Sequence, residues 1–181
     1  MSVDDLFGAI DDYFLDSEKL EKVEALTRAQ RQVEGWFKGE LIYLLDRLKG
    51  NIITTWEPEV KVEGGSRKRF DFVVGVDGTP VFLELKALYH GEQRAARIGL
   101  DIYLYKDDVG IWGDVVKLSG LSEGVGYNLL FIYPRPDPTV WARQIDAYKR
   151  RIAPISLREA SRIDEYPPQL YVCRMEIERG S

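Results

Sequence analysis

Asp71, Glu84 and Lys86 are the residues of this chain whose types and spacing best suit chemistry, since a predicted hairpin brings them together. Carboxylate oxygens are hard ligands that suit magnesium or manganese. Two opposed carboxylates destabilise a pair of strands. A divalent cation between them would offset that repulsion, and so would the neighbouring Lys86 amine. The same residues also fit a second interpretation, a solvated strand face with a local Lys–Glu pair that contributes little free energy.

The hairpin is predicted from residues 67–86, which read RKRFDFVVGVDGTPVFLELK. Two runs of alternating apolar residues flank Asp77-Gly78, a dipeptide favoured in type I′ turns because both central residues need positive φ. Counting back from the turn places Asp71 opposite Glu84 on one face. The other face is predicted to be apolar and to carry Phe70, Phe72, Val74, Val76, Val81, Leu83 and Leu85. A register shift of one residue would separate the two carboxylates.

The composition is that of an ordinary globular protein, with 45% hydrophobic and 30% charged residues among 181. This length predicts one domain with a substantial core. A single cysteine, Cys173, excludes a disulfide within the chain and suits a reducing compartment. The acidic N-terminus MSVDDLFGAIDD does not match a secretory or transit signal, and no apolar run approaches the about 20 residues needed to cross a bilayer. We therefore expect a soluble, cytoplasmic protein without a membrane partner.

The formal net charge of −5 is unevenly distributed along the chain. Residues 1–26 carry eight acidic residues and two lysines, a net charge of −6, which leaves +1 for the remainder. Basic residues cluster at Arg67-Lys68-Arg69, at Arg94 with Arg97, and at Lys149-Arg150-Arg151. Such clusters suit contacts with phosphate groups, and they equally suit an ordinary solvated surface. The acidic total therefore does not exclude a nucleic acid as the partner.

The spacing of apolar residues predicts an α/β chain. Helices are predicted over residues 3–14, 17–26, 28–49, 109–121 and 137–151. Strands are predicted over residues 51–62, both arms of the hairpin, 127–133 and 169–178, with a loop and a short strand or partial helix in 87–105. Thr27-Arg28-Ala29-Gln30 fits a capping box for the long helix. Glu40 falls near the apolar face of that helix, where a carboxylate needs a partner.

The core order of helix, three strands, helix and strand, with these acidic positions, resembles the PD-(D/E)XK nuclease superfamily, which has the restriction-endonuclease-like fold. The resemblance covers residues 28–133 and rests on Asp71 in the second strand, Glu84-Leu85-Lys86 in the third, and Glu40 in the preceding helix. Phe70 stands where the family usually has a proline. The resemblance implies a mixed central sheet flanked by helices over residues 27–181, with residues 1–26 as an acidic helical extension.

The resemblance also implies roles for individual residues. The metal-binding set would be Asp71, Glu84, the backbone carbonyl of Leu85, and Glu40, and the metal would be Mg²⁺ or Mn²⁺. Lys86 would orient or help deprotonate the attacking water. Glu34 is the alternative to Glu40 for the helix position. Phosphodiester hydrolysis needs a positioned water and a cation at the phosphate oxygens, which such a set supplies.

Further residues are weaker candidates for contacts with nucleic acid. They are Arg67, Lys68, Arg69, His90, Gln93, Arg94 and Lys117. Lys117 follows Asp114 by three residues, a spacing that favours a surface ion pair; the alternative is a side chain that points into a substrate groove.

The implied function is a metal-dependent nuclease, foremost a DNA endonuclease in microbial defence or DNA repair. The alternative is a non-catalytic subunit on the same fold that binds nucleic acid or protein. A third interpretation is an unrelated α/β protein with surface carboxylates. Cleavage of both strands usually needs two sites, so a homodimer is a further expectation, and the acidic N-terminal helices suit a protein partner.

Overall fold

The computed structural model describes residues 1–62, 68–93, 96–105, 110–160 and 162–178. The helices are α1 (Val3–Phe14), α2 (Ser17–Arg28), α3 (Glu34–Leu48), α4 (Asp101–Tyr105), α5 (Trp112–Ser119) and α6 (Pro138–Ile152). The strands are β1 (Thr55–Lys61), β2 (Arg69–Val76), β3 (Thr79–Tyr89), β4 (Gly91–Gln93), β5 (Ala96–Ile98), β6 (Val125–Tyr133), β7 (Ser156–Ala160) and β8 (Tyr171–Glu178). The chain is thus an α/β protein, as predicted.

Six strands form one mixed sheet in the order β1-β2-β3-β6-β8-β7. The pair β3–β6 is parallel, and the other neighbours are antiparallel. Parallel neighbours need a crossover connection, and the segment with α4 and α5 supplies it. The predicted mixed sheet with helices before and between its strands is therefore confirmed.

The central hairpin has the predicted turn. Asp77 and Gly78 both have positive φ, at 46° and 77°, and the ladder runs from Val76–Thr79 to Phe72–Leu83. The seven residues predicted for the apolar face are all buried.

The hairpin ladder ends one pair before the carboxylates. The predicted backbone pairing of Asp71 with Glu84 is wrong: the ladder between β2 and β3 ends at Phe72–Leu83, although beyond that point β2 still pairs with β1 and β3 still pairs with β6. The two carboxylates therefore lie where β2 and β3 separate. Because the strands separate here, the backbone N–H of Leu85 in β3 is free to donate to the Asp71 side chain.

Aromatic side chains join the N-terminal helices to one face of the sheet. Phe131 on β6 has its ring centroid 4.5 Å from Phe14 of α1 and 4.6 Å from Phe37 of α3. All three side chains are fully buried. Residues 1–26 thus contribute to the same core as the sheet, and their separation as an extension stays a prediction.

The second face of the sheet is covered by α5 and α6. Gly126 on β6 lets α5 approach closely, because a Cβ there would lie 3.0 Å from side-chain atoms of Leu118 and Leu121. Trp141 of α6 packs edge-to-face on Tyr171 of β8, with ring centroids 5.8 Å apart. Glu84 lies on this second face, since it alternates with the buried Leu83 and Leu85.

Several local predictions differ from the structure. The proposed capping box is wrong: Thr27 lies inside α2, where its hydroxyl donates to the Val23 carbonyl, a common alternative for threonine in a helix. The long helix therefore begins only at Glu34. Residues 102–105 belong to α4, so that of the two alternatives left open for this stretch the partial helix is correct and the short strand is wrong. Strands β4, β5 and β7 were not anticipated by the apolar pattern.

In the part of the chain that the structure describes, no helix combines the length and apolar character needed to span a membrane. Cys173 is fully buried in β8.

Candidate functional site

The Asp71 carboxylate links the two separating strands. Its Oδ2 accepts a hydrogen bond from the backbone N–H of Leu85 at 2.8 Å, and its Oδ1 accepts one from Lys38 Nζ of α3 at 2.7 Å. Lys38 Nζ also lies 3.2 Å from Glu34 Oε1. Asp71 is thereby tied to the strand that carries Glu84, although the backbone ladder has ended.

Glu84 is the most deeply buried carboxylate of the site, with 3% of its side chain exposed. Its Oε1 contacts the ammonium of Lys117 from α5. The same ammonium donates a hydrogen bond to the backbone carbonyl of Arg69 at 2.7 Å and lies 3.7 Å from Asp114 Oδ1. A buried carboxylate needs such a partner, because an unpaired charge in the interior is strongly unfavourable.

Among the described residues, the ion pair of Lys86 is with Asp114 and not with Glu84. Its Nζ lies 3.6 Å from Asp114 Oδ2 on α5, and its side chain is 26% exposed. Lys86 is therefore beside the acidic pair and more open to solvent than Lys117, which is 9% exposed. The expectation that Lys117 forms an ion pair with Asp114 is correct, but that pair lies within the candidate site and not on an open surface.

The structure does not bring Glu40 to Asp71 and Glu84, although its partial burial with polar partners agrees with a position near the apolar face of α3. Its carboxylate accepts hydrogen bonds from Tyr13 at 2.6 Å and from Lys19 at 2.5 Å, both in the N-terminal helices. Residues two apart on a helix point about 200° from each other, so Glu40 faces away from the side on which Lys38 reaches Asp71. Glu34, through its ion pair with Lys38, is the acid of α3 on the side of the site.

We expect Glu40 to contribute to stability and not to metal binding. Burial opposes its ionisation, but hydrogen bonds from Lys19 and Tyr13 outweigh that effect and lower its pKa. Replacing Glu40 by Ala leaves Lys19, 14% exposed, without its partner and should lower the free energy of unfolding by about 1–3 kcal/mol. Urea unfolding measures the loss. A calorimetric Mn²⁺ titration should match that of the wild type; weakened Mn²⁺ binding in this variant would restore the original prediction.

The buried position of Glu84 predicts a pH-dependent stability. Burial raises its pKa from 4.5 to about 8, and the nearby Asp114 and Asp71 also raise it, while Lys117 opposes them. Between these two values the folded chain keeps a proton that the unfolded chain loses. The free energy of unfolding should therefore fall as the pH rises through this window, by at most about 1.4 kcal/mol per pH unit.

Comparison with Glu84→Gln isolates this contribution. The variant cannot ionise at this position, so the difference in unfolding free energy between variant and wild type should grow from pH 5 to pH 8. Urea unfolding at several pH values measures it. Parallel curves of unfolding free energy against pH for the two proteins would show that the pKa of Glu84 is not raised in the folded chain.

The structure brings only part of the predicted nucleic-acid set near the acids. Lys68 and Arg69 are exposed at the start of β2, and Lys117 is paired as described. His90 follows β3, where its backbone N–H donates to the Tyr133 carbonyl at 3.2 Å. Gln93 has its backbone in β4. Arg67 and Arg94 lie outside the described residues.

Sequence reasoning missed Lys38 and Asn128 and undervalued Asp114. Asn128 interrupts the apolar run YNLLFIY of β6, and this single polar residue was the available signal. The parallel register places it beside Glu84. Its Oδ1 and Nδ2 have no hydrogen-bond partner among the described residues.

Comparison with known proteins gave no match: no family model, no curated protein sequence and no solved structure matches this chain.

The donor set is compatible with Mg²⁺. Asp71, Glu84 and the Leu85 carbonyl supply oxygen ligands, and Mg²⁺ in proteins commonly uses one or two carboxylates and completes its coordination with water and substrate phosphate. Across residues 1–62, 68–93, 96–105, 110–160 and 162–178, no group of three or more His, Cys, Asp or Glu side chains is placed to hold a metal ion. A metal here would therefore depend on water or phosphate for several ligands.

Proposed function

We propose that this chain is a divalent-metal-dependent nuclease of the PD-(D/E)XK type that acts as a cytoplasmic DNA endonuclease in microbial defence or DNA repair. The observation that carries the proposal is the convergence of Asp71 and the buried Glu84 at the point where β2 and β3 separate. The side chains of Asp71 and Glu84 are 13% and 3% exposed, whereas surface carboxylates without a function are usually well exposed to solvent. Burying a charged group costs free energy, and such buried acids are found most often at functional sites.

The residues divide into metal ligands and an amine that acts on water. Asp71, Glu84 and the Leu85 carbonyl would hold Mg²⁺ or Mn²⁺. The bound ion would neutralise charge on the scissile phosphate and acidify a water molecule. Lys86, the more exposed amine, would orient that water and stabilise negative charge near the phosphate. Exposed Lys68 and Arg69 at the mouth of the site would contact neighbouring phosphates.

A second candidate function is a non-catalytic binding subunit. The specific observation in its favour is that each acid already has a lysine partner: Lys38 contacts Asp71, and Lys117 contacts Glu84. Such a self-neutralised cluster requires no cation. The acidic helices α1 and α2 would then bind a protein partner, or two copies of the chain would bind one nucleic acid as a dimer.

Cleavage assays distinguish the two functions. Purified protein should nick or linearise plasmid DNA in Mg²⁺ or Mn²⁺ and should be inactive in EDTA. Single-stranded DNA and RNA in the same assay define the substrate. Retention of DNA binding without cleavage of any of these substrates, in either metal, would favour the binding subunit and contradict the nuclease.

A further inference from the structure

The ammonium of Lys117 lies among oxygen atoms from three elements of the fold. It contacts Glu84 Oε1 on β3, donates to the Arg69 carbonyl on β2 at 2.7 Å, and lies 3.7 Å from Asp114 Oδ1 on α5. Two carboxylates and a backbone carbonyl are the hard oxygen donors that magnesium and manganese prefer. The lysine thus occupies surroundings that suit a divalent cation.

Asp114 is held only loosely by the two amines near it. Lys117 and Lys86 lie 3.7 and 3.6 Å from its two oxygens, beyond the usual length of a hydrogen bond. Its Oδ2 is buried and accepts no hydrogen bond from any described residue. The Asp114 carboxylate therefore keeps capacity to bind another cation.

Asn128 gives an independent indication that this region takes a ligand. It is fully buried, and neither atom of its amide has a hydrogen-bond partner within the described part of the chain. Its register partner is Glu84, and laterally paired residues of parallel strands share a face of the sheet. An unpaired buried amide is unfavourable, and this cost ends if the amide donates to a Glu84 carboxylate that has turned toward a cation.

We propose that Lys117 is a built-in competitor for a divalent cation. Mg²⁺ or Mn²⁺ binds between Glu84 and Asp114, at the position of the ammonium, when the Lys117 side chain moves away, and Asn128 then positions Glu84. Asp114 becomes an additional ligand next to the pair of Asp71 and Glu84. The inference rests on the proposed function, because the competing cation is the one that the nuclease would use.

The competitor has a physical consequence. With Lys117 in place, the acids are neutralised and the fold tolerates their burial without metal. A cation must displace a buried ammonium, so its apparent affinity is reduced by the free energy of the contacts that Lys117 makes with Glu84, Asp114 and the Arg69 carbonyl. Metal binding to the wild-type chain alone should therefore be weak.

Calorimetric titration with Mn²⁺ tests the competitor directly. Lys117→Met should bind Mn²⁺ about tenfold or more tightly than the wild type, and the gained affinity should disappear in the double variant Lys117→Met with Asp114→Asn. Lys86→Met is the matched control, because it removes the same charge from the other side of Asp114. Its Mn²⁺ affinity should stay within about threefold of the wild type.

The result that overturns the inference is a Lys117→Met affinity equal to that of the wild type or of Lys86→Met. If Lys117→Met fails to fold without metal, Lys117→Gln replaces it, since its amide can still bond to both carboxylates. For either variant the midpoint of thermal unfolding should rise with Mn²⁺ concentration more than for the wild type. An equal rise in both proteins would also contradict the competitor.

The experiments test the nuclease function and the role of Lys117 as a competitor independently of each other. The Mn²⁺ titrations require no catalysis, so a gained site in Lys117→Met supports the competitor even if no substrate is cleaved. Cleavage by the wild type with no gain of Mn²⁺ affinity in the variant would instead support the nuclease and remove the competitor.

Discussion

Replacing Glu84 by Gln should lower the rate of DNA cleavage by about 10³-fold or more, because the change removes a metal ligand and one negative charge from the proposed centre while preserving side-chain volume. Gln also reproduces the neutral form that burial favours at this position, so the fold should tolerate it. The measurement is the single-turnover cleavage rate with saturating Mg²⁺. The Mn²⁺ affinity of the same variant should fall as well.

Glu40→Gln is the matched control for this prediction. It makes the same chemical change at another partly buried glutamate that pairs with a lysine, 17% exposed in this case. Because Glu40 faces the N-terminal helices, its variant should cleave within about threefold of the wild-type rate. A Glu84→Gln protein as active as the wild type would contradict the assignment of the site, whereas equal losses in both variants would point to instability as the cause.

Lys86→Met separates the amine from the metal ligands in the same assay. It should lower the cleavage rate by about 10²-fold or more, typical of the loss of a general acid–base group, while Mn²⁺ affinity stays close to that of the wild type. This split between rate and metal affinity is not expected from a residue with a structural role alone.

Phe14→Ala should be among the most destabilising single substitutions, at about 3–5 kcal/mol. Phe14 is fully buried, and its ring lies 4.5 Å from Phe131 and 5.9 Å from Phe37 between ring centroids. Its removal leaves a cavity between α1, α3 and the sheet that neighbouring aromatic rings cannot fill without leaving their rotamers. Urea unfolding followed by tryptophan fluorescence measures the change.

Ile42→Ala on α3 is the control for Phe14→Ala. Ile42 is 39% exposed, and its truncation should change the free energy of unfolding by no more than about 0.5 kcal/mol. A cost below about 1 kcal/mol for Phe14→Ala would mean that α1 contributes little to the core. Residues 1–26 would then be a separable extension, as the sequence suggests.

Contacts with lysine side chains account for how the chain can hold three acids close together. Asp71, Glu84 and Asp114 each have a lysine ammonium within 3.7 Å, from α3, from α5, or from β3. The amines offset repulsion that would otherwise raise the free energy of the folded state. The same neutralisation supports both proposed functions, and for this reason the experiments above vary the lysines and the acids independently.

The capping error shows how nearby sequence signals can compete. Thr27 matches a helix N-cap in sequence, but the preceding turn of α2 offers its hydroxyl the Val23 carbonyl, and the helix continues to Arg28. The next helix begins without a side-chain cap at Val33. The capping pattern alone therefore did not distinguish between two local hydrogen bonds that the same hydroxyl can make.

The sequence by itself determined the hairpin, its Asp77-Gly78 turn and the burial of its apolar residues, because these features depend on local alternation and on the φ preferences of two residues. Only the tertiary structure decided which charges meet. The rotation of α3 placed Lys38 and not Glu40 at Asp71, and the packing of α5 placed Lys117 and not Lys86 at Glu84. The parallel register of β3 and β6 brought Asn128 beside Glu84, since helix rotation and strand register are set by contacts between distant segments and not by the pattern within either one.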